Sequence, residues 1–383
     1  RRSHSQRAKA LTLHPVSGKS ARASAIGGAH LWAFAARPRG LIDTPSIPIC
    51  AMSHDPLSDV LRSVRLRGAV FYYVNFGGEW AAETPASPLL ARALMPGADH
   101  VLAYHLMARG EGWAATDGEA PVRLAPGDIV MFPRGDGHVI SSAPGLHAKE
   151  DQSDWRFTTR NDPKPITVAY HRGVLRPGSP GPADEAGSVV VCGFVACDLK
   201  PFNPLINALP RLMHLRSGDL GPWTVQLLDQ AVAESREHRA GSAAVLERAS
   251  EFVFVDAARR YLDSVEPGSA GWLGALRERY VGQAITLMHE RPEDPWTVEE
   301  LGRQVGLSRS ALHERFVAMT GQAPMQYLTH WRVQLGAGLL RRGQSKVAAV
   351  AQEVGYDSEA AFARAFKRLV GQPPGAWRRA QTG

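Results

Sequence analysis

The side chains that could carry chemistry fall into two groups along this chain of 383 residues. In the first half, His105, Glu111 and His138 are candidate ligands for a metal ion or a small molecule, and Cys192 and Cys197 are candidate sensor thiols. A working metal site needs three or four converging ligands, and a thiol reacts as its thiolate. The second group consists of polar side chains on a repeated helical pattern near the C-terminus.

The histidine at position 138 ends a segment, Gly127–His138, with the spacing Gly-x5-Pro-x-Gly-x2-His. This spacing resembles the second cupin motif, in which a strand and a Pro/Gly turn direct a histidine into a β barrel. His105 and Glu111 resemble the first cupin motif less closely, because Ala103 stands where another histidine is expected. We therefore expect a ligand pocket without a metal or other cofactor, and a hydrogen-bonded turn residue is the alternative for His138.

Cys192 and Cys197 lie five residues apart on one predicted strand. Side chains alternate between the faces of a strand, so the two thiols should point to opposite faces, and a disulfide between them would need a bulge. Two interpretations stay open, namely buried structural thiols and a redox or metal sensor. The chain has only three cysteines, which excludes a disulfide scaffold and fits a reducing cytosol.

The strongest pattern in the sequence is an internal repeat near the C-terminus. Val298–Gly306 corresponds to Val347–Gly355 at an offset of 49 residues. Both copies continue through a turn that contains serine, and both later reach Gly-Gln-x-Pro, at Gly321–Pro324 and Gly371–Pro374. The repeat predicts two units, each with a helix, a sharp turn and a second helix.

The turn of each unit has the residues that such a turn requires. Gly306 and Gly355 can adopt the positive φ that ends the first helix. Ser308 and Ser358 can cap the helix that follows. The predicted helix-turn-helix units are residues 297–318 and 346–368.

The second helix of each unit has one face for the protein core and one for a partner. Leu312 and Phe316 lie four residues apart, as do Phe362 and Phe366, and these pairs must face inward. The opposite face of such a helix fits the major groove, where its N-terminal half reads base edges. The residues predicted to face outward are Arg309, Ser310, His313, Glu314, Glu359, Ala360, Ala363 and Arg364.

Apolar residues at helical spacing over 324–342, among them Tyr327, Trp331 and Leu335, predict a helix between the two units. A helix of about 18 residues is roughly 27 Å long. It would hold the two recognition helices near one turn of B-DNA apart, roughly 34 Å. One chain could then read two successive major grooves.

Residues 277–380 resemble the DNA-binding domain of the AraC/XylS family, most closely over Gly355–Pro374. Cys192–Pro210 resembles a subgroup of these regulators that carries an N-terminal cupin, so the resemblance spans residues 57–380. It implies base reading by the outward residues, with Arg364 suited to guanine, while a solvated helix face is the alternative for Glu359. The basic side chains that could bind phosphates, or simply aid solubility, are Arg332, Arg341, Arg342, Lys346, Lys367, Arg368, Arg378 and Arg379.

These patterns predict an α+β multidomain protein. Short apolar runs between Gly, Pro and Asp clusters indicate a cupin-like β barrel over residues 52–220. Residues 221–271 contain two helical stripes, one with Trp223 and Leu228 on a shared face, that form either a dimerisation hairpin or a cover for the barrel. Residues 272–383 form the all-α DNA-binding domain. The predicted strands are Ala69–Val74, Val101–Met107, Ile129–Phe132, Ile166–Tyr170 and Val189–Ala196.

Charge is distributed unevenly along the chain. Residues 1–51 carry eight Lys and Arg against one Asp, and residues 275–383 carry 15 against ten acidic residues, whereas the middle is acidic. A polyanion would therefore meet the C-terminal region. For residues 1–51 the interpretations that stay open are a disordered extension, untranslated sequence before a start codon at Met52, and a basic arm that contacts DNA.

Together these features predict a sequence-specific transcription regulator that acts as a homodimer on double-stranded DNA. The family resemblance implies that it is an activator and that it contacts RNA polymerase. Its signal would be a small-molecule or redox effector sensed in the barrel. No apolar run reaches about 18 residues, so we expect a cytoplasmic protein without membrane contact. The alternative is a cupin-type metal-dependent enzyme fused to a DNA-binding module, which the incomplete ligand set disfavours. A basic architectural protein without sequence preference fits poorly with two different recognition helices.

Overall fold

The computed structural model describes residues 54–148, 166–171, 174–177, 187–237, 239–343 and 345–382. The predictions for residues 1–51, and the third cysteine, Cys50, lie outside these ranges. The strands are β1 Arg67–Phe76, β2 Ala81–Thr84, β3 His100–Arg109, β4 Gly112–Thr116, β5 Val122–Leu124, β6 Ile129–Phe132, β7 His138–Ser141, β8 Ile166–His171, β9 Val174–Pro177, β10 Ser188–Cys197 and β11 Met213–Leu215.

The helices follow the order that the sequence predicts, with most of them after the strands. They are α1 Pro56–Ser63, α2 Ser87–Leu94, α3 Pro204–Ala208, α4 Pro222–Glu237, α5 Ser242–Ser264, α6 Trp272–Arg277, α7 Arg279–Glu290, α8 Val298–Val305, α9 Arg309–Thr320, α10 Pro324–Arg341, α11 Val347–Glu353, α12 Glu359–Val370 and α13 Pro374–Thr382. The predicted order, a β-rich region followed by an all-α region, is confirmed.

The strands form two sheets. The larger has seven strands in the order β11-β6-β3-β10-β1-β8-β9, and the smaller has four in the order β2-β7-β4-β5. One buried apolar cluster contains residues of both sheets, including Phe76 and Val190 from the larger and Ala82 and Ile140 from the smaller. The β-rich region therefore has its core between the two sheets.

The central strand β10 shows why the larger sheet is covered on both faces. Cys192, Phe194 and Ala196 pack into the core between the sheets. Val195 and Cys197 belong to a second apolar cluster on the opposite face. This alternation is the two-residue period of a strand that is buried on both sides. It confirms that Cys192 and Cys197 point to opposite faces.

The hairpin of α4 and α5 covers that second face. Leu246 and Val253 of α5 share the apolar cluster with Val195, and the Tyr104 hydroxyl of β3 lies 2.7 Å from the Ser250 hydroxyl of α5. Covering the barrel is thus one role of the hairpin. Trp223 does not lie on the buried face with Leu228, as the sequence suggested, because it is 82% exposed. Thr224 holds the buried position, and on a helix the neighbouring residue points about 100° away.

The helical region has two apolar cores. The cluster that includes the outer face of the large sheet continues through α1, α3 and α5 into α6–α10, where it contains Leu312 and Phe316. A separate cluster surrounds Phe362, Phe366 and Trp377. The long helix α10 contributes to both clusters. The first helix-turn-helix unit therefore shares its core with the β-rich N-terminal region, residues 54–220 among those described, which is the predicted sensor. The second unit has its own core.

Candidate DNA-binding surface and sensor site

The first helix-turn-helix unit has the caps and the turn that its sequence predicts. Gly306 adopts φ 80° at the end of α8, a left-handed conformation that glycine accepts without steric cost. The Ser308 hydroxyl accepts a hydrogen bond from the Ala311 amide at 3.2 Å and so caps α9. Leu312 and Phe316 are fully buried. These contacts fix the orientation of α9.

The second unit repeats this arrangement. Gly355 adopts φ 81°, and the Ser358 hydroxyl accepts from the Ala361 amide at 3.2 Å. Phe362 and Phe366 are fully buried. The predicted helix between the units is α10, 18 residues long. Both second helices are thus held by equivalent caps and by buried apolar side chains.

The predicted base-reading residues lie on the solvent side of α9 and α12. In α9, Arg309, Ser310, His313 and Glu314 are exposed, and in α12 Ala363 is half-buried while the rest are exposed. Arg309 forms an ion pair of 2.9 Å with Glu299 of α8. The exposed α12 residues are Glu359, Ala360 and Arg364.

The predicted phosphate partners have two different environments. Lys346, Lys367 and Arg368 are exposed. Arg332 is half-buried, and its guanidinium donates to the carbonyls of Pro292 at 2.6 Å and Asp294 at 2.7 Å. For Arg332 the structure therefore gives a structural role between the loop before α8 and the second unit, in place of the expected surface role.

In the barrel, the structure brings His105, His138 and Cys192 together. The Nε2 atoms of His105 and His138 are 2.8 Å apart, and Nδ1 of His105 is 2.9 Å from Sγ of Cys192. Nδ1 of His138 lies 2.9 Å from the backbone oxygen of Asp136, and Phe132 stacks on the His138 ring with centroids 3.7 Å apart. All three side chains are buried.

The backbone oxygen of Asp136 sets the direction of every hydrogen bond in this row. A carbonyl only accepts, so Nδ1 of His138 carries the hydrogen and its Nε2 is an acceptor. His105 then donates from Nε2 and accepts at Nδ1 from the Cys192 thiol. The result is a row of neutral groups that runs from the thiol to the backbone oxygen of Asp136.

Burial keeps each member of the row neutral near pH 7. It lowers the pKa of His138 to about 4, although the Asp136 carbonyl and carboxylate oppose the change. Burial and the adjacent His138 lower the pKa of His105 well below its ordinary value. Burial also raises the pKa of the Cys192 thiol. The thiol therefore lacks the thiolate character of a reactive cysteine.

The structure does not bring Glu111 to the two histidines. Its carboxylate is 59% exposed and pairs with Arg123 at 2.6 Å. His105 uses both ring nitrogens in the row, and the described residues contain no group of three His, Cys, Asp or Glu side chains that could hold a metal ion. Cys192 occupies the third place in the cluster. No sequence signal indicated this, because it depends on the pairing of Cys192 with His105 across β10 and β3.

Two cavities adjoin the row. A small apolar cavity of about 30 Å³ between the sheets is lined by His105, Cys192 and Phe194. An open cleft of about 580 Å³ is lined by His138, Trp113 and Thr84. Cys197 lies outside both, on the helix side of the sheet, where burial raises the pKa of its thiol to about 12.

Contacts between the sensor and the helical domain were not expected from the sequence. The amide of Gln334 on α10 donates to the carbonyl of Ser63 and accepts from the amide of Phe202, both at 3.0 Å. Arg341, at the end of α10, forms an ion pair of 2.6 Å with Asp198, and both side chains are nearly buried. These polar groups attach α10 to the sensor at two points.

Comparison with known protein families gave one match in the β-rich region and one in the helical region. A family model described as Cupin matches residues 55–263, and one described as Helix-turn-helix domain matches residues 301–380. A putative AraC-like transcription regulator of Streptomyces lividans is 30% identical over 330 residues, 86% of this chain and 99% of that protein.

Two further matches concern a curated protein and a solved structure. The RCS-specific HTH-type transcriptional activator RclR of Escherichia coli K12 is 31% identical over 327 residues, 85% of this chain and 97% of that protein. The crystal structure of the DNA-binding domain of AdpA in complex with a target DNA is 31% identical, covers 26% of this chain and 89% of that chain, and has a TM-score of 0.25.

Proposed function

Because the chain belongs to the AraC family of DNA-binding transcription regulators with an N-terminal cupin domain, we propose that it activates transcription from specific promoters in response to a signal sensed in that domain. The observation that carries this proposal is the pair of capped helices α9 and α12. Each is anchored by buried apolar side chains and has polar residues exposed on its N-terminal half.

The two helices would enter successive major grooves. The 18 residues of α10 correspond to roughly 27 Å, which suits recognition helices placed near one helical turn apart. Arg364 would donate two hydrogen bonds to a guanine, and Glu314 or Glu359 would accept from cytosine. Ser310 and His313 complete the proposed reading face of α9. Lys346, Lys367 and Arg368 would neutralise phosphates without reading sequence.

The remaining parts of the proposal concern the state of the protein in the cell. A homodimer would place two DNA-binding domains on adjacent half-sites and so raise the effective concentration of the second domain. Exposed Trp223 on α4 and Phe252 on α5 provide apolar contacts outside the barrel for such a dimer. The activator role, with contact to RNA polymerase, draws support from the name of the Escherichia coli relative.

A cytoplasmic location follows from the proposed DNA-binding role. None of the helices in the described part of the chain combines the length and the apolar character that crossing a bilayer requires. The effector would act at the cavities beside His105 and His138, with Cys192 and Cys197 as thiol candidates. The strongly raised pKa of the buried thiols favours a bound ligand over thiolate chemistry as the signal.

The test is gel-shift binding of the full chain to a duplex that it selects from a random library, against an unrelated duplex. Salt is held at about 150 mM because phosphate contacts alone give strong binding at low salt. We expect a preference of about a hundredfold or more for the selected duplex. Arg364→Ala should reduce this preference by about tenfold, the loss of one bidentate base contact.

The matched variant is Lys367→Ala, on the same helix. It should weaken binding to both duplexes equally and leave the preference intact, since a phosphate contact carries no sequence information. Equal affinity of the wild type for both duplexes, or no selected sequence, would refute the proposal. Titration above the dissociation constant also gives the stoichiometry, and two chains per full site are expected for the dimer.

A further inference from the structure

An open cleft of about 650 Å³ lies between α1 of the sensor and α10 of the DNA-binding domain. Arg62 and Arg65 line it from the sensor, and Arg341 and Arg342 line it from the end of α10. His289 of α7 also lines the cleft. Four guanidinium groups from two domains therefore border one cavity, which is separate from the barrel interior and from the exposed faces of α9 and α12.

The cleft has far fewer negative charges than positive ones. Among the described residues that line the cleft, the one carboxylate is that of Asp59, which lies 2.5 Å from Nε2 of His54 and 3.3 Å from Nδ1 of His289. Burial opposes ionisation, but the hydrogen bonds and charges of His289 and His54 lower the pKa of Asp59 overall. Asp59 reaches Arg62 only at 3.7 Å. This carboxylate is thus shared among several partners.

The other arginines differ in how far they are engaged. Arg341 is paired with Asp198 at 2.6 Å. Within the described part of the chain, Arg65 and Arg342 are exposed and take part in no ion pair. The positive charge of Arg65 opposes that of Arg341, which contributes to lowering the Arg341 pKa after the larger effect of burial. Arg65 and Arg342 therefore contribute the positive charge at the cleft that no described carboxylate pairs with.

An anion with several acidic groups is the ligand that this arrangement fits. A guanidinium group can donate two parallel hydrogen bonds to the oxygens of one phosphate or carboxylate, which a lysine ammonium group cannot do with the same geometry. A cleft of this volume is within the range of small-molecule sites. At the carbonyl end of α1, which also faces the region, the Ser63 carbonyl accepts from Gln334 at 3.0 Å and from Arg341 at 3.5 Å.

We propose that this cleft binds a compact polyanion with two or more phosphate or carboxylate groups, held by Arg65 from the sensor and Arg342 from the DNA-binding domain. Arg62 adds charge at the rim, and Arg341 adds a partly shielded charge. Since the ligand touches both domains, it stabilises their docked arrangement in addition to the Gln334 and Arg341 contacts. The site is a second point of control, independent of the barrel.

The test is isothermal titration of the full chain with inorganic pyrophosphate and, in a separate arm, with citrate, at about 150 mM salt. We expect saturable binding of one molecule per chain with a dissociation constant below about 1 mM for at least one of them. The arm that saturates more tightly identifies phosphate or carboxylate as the preferred chemistry. Arg65→Ala and Arg342→Ala should each weaken binding at least about tenfold.

The matched control is Arg92→Ala, which removes an exposed arginine of α2 outside the cleft and should leave the affinity unchanged. Circular dichroism melting verifies that each variant is folded. No saturable binding with a dissociation constant below about 1 mM, or equal losses in all three variants, would overturn the proposal. Loss of DNA binding in Arg65→Ala without any pyrophosphate or citrate binding would also overturn it, since the arginines would then serve DNA phosphates. The Arg364 experiment is unaffected by either outcome.

Discussion

At the scale of single residues, the row from Cys192 through His105 to His138 is the most constrained feature of the sensor. Its hydrogen bonds leave no ring nitrogen free, and burial keeps both rings neutral near pH 7. Protonation of His138 would place a positive charge in a buried site and would make His105 accept at Nε2 and donate from Nδ1 to Cys192. The row is therefore sensitive to acid, and its sensitivity can be measured as a pH-dependent stability.

The sign of this effect follows from the lowered pKa of His138. The unfolded histidine takes up a proton below about pH 6.5, while the folded one does so only near about pH 4. Between these values the unfolded state binds more protons, so stability falls as the pH falls. At pH 4 the loss of folding stability caused by His138, relative to pH 7, amounts to about 3 kcal/mol.

In a urea unfolding series from pH 7 to pH 4, the free-energy difference between the wild type and His138→Gln should therefore shrink by about 3 kcal/mol. His313→Gln, which removes an exposed histidine of α9, is the matched control. The substitution also removes the stacking on Phe132, but that loss does not depend on pH. It therefore does not affect the change of the free-energy difference with pH. A difference that stays constant over this pH range would show that His138 titrates alike in both states.

At the scale of elements, the two helix-turn-helix units look equivalent in sequence but differ in packing at their turns. Gly306 and Gly355 have nearly the same φ, 80° and 81°. A Cβ on Gly306 would meet nothing within 4 Å. A Cβ on Gly355 would lie 2.7 Å from the Cα of Glu293 and 2.9 Å from Cζ of Arg332. The second turn thus packs closely against the loop before α8, whose carbonyls accept hydrogen bonds from Arg332.

This difference predicts unequal costs for the same substitution. Gly306→Ala should lower the free energy of unfolding by about 1 kcal/mol, the cost of a left-handed alanine. Gly355→Ala adds a clash with backbone that cannot rotate away, and should cost at least about 3 kcal/mol. Urea unfolding of the wild type and both variants under the same conditions measures the two losses of free energy. Equal losses would mean that the loop before α8 yields to the added methyl group.

Local signals explain which elements the sequence could predict. The α10 bounds, the Ser308 and Ser358 caps and the inward Phe362 and Phe366 all depend on residues within a few positions of each other, and these predictions are confirmed. The predicted strands coincide with β1, β3, β6, β8 and β10.

The rest depends on contacts that are distant in sequence. The place of Cys192 beside His105 is set by the register of β10 on β3, which no local pattern encodes. Glu111 is drawn outward by Arg123, and Trp223 lies on the solvent side although its apolar character suggests burial. Arg332 and Arg341 resemble surface cations in sequence, yet both meet partners from other segments.

At the scale of the whole molecule, α10 connects the sensor to both DNA-binding units. One end of the helix belongs to the core that the sensor shares with the first unit, and the other belongs to the separate core of the second unit. Arg341 stands where the second unit begins to separate from the sensor. A change in the sensor near Asp198 would therefore act first on the position of the second unit, through this ion pair.

The energetic weight of that link follows from its burial. Side-chain exposures of 12% and 13% mean that removal of Asp198 would leave the Arg341 charge largely out of water, and burial already lowers the Arg341 pKa. Asp198→Ala should therefore destabilise the protein by about 3 kcal/mol. Adding Arg341→Leu should restore part of the loss, because the uncompensated charge is gone. Glu251→Ala breaks the more exposed Arg248 pair as a control and should cost under about 1 kcal/mol. If urea unfolding gave equal losses for Asp198→Ala and Glu251→Ala, the ion pair would be no stronger than a surface contact. Coupling of the sensor to the second unit would then pass through Gln334 and the apolar core that α10 shares with the sensor.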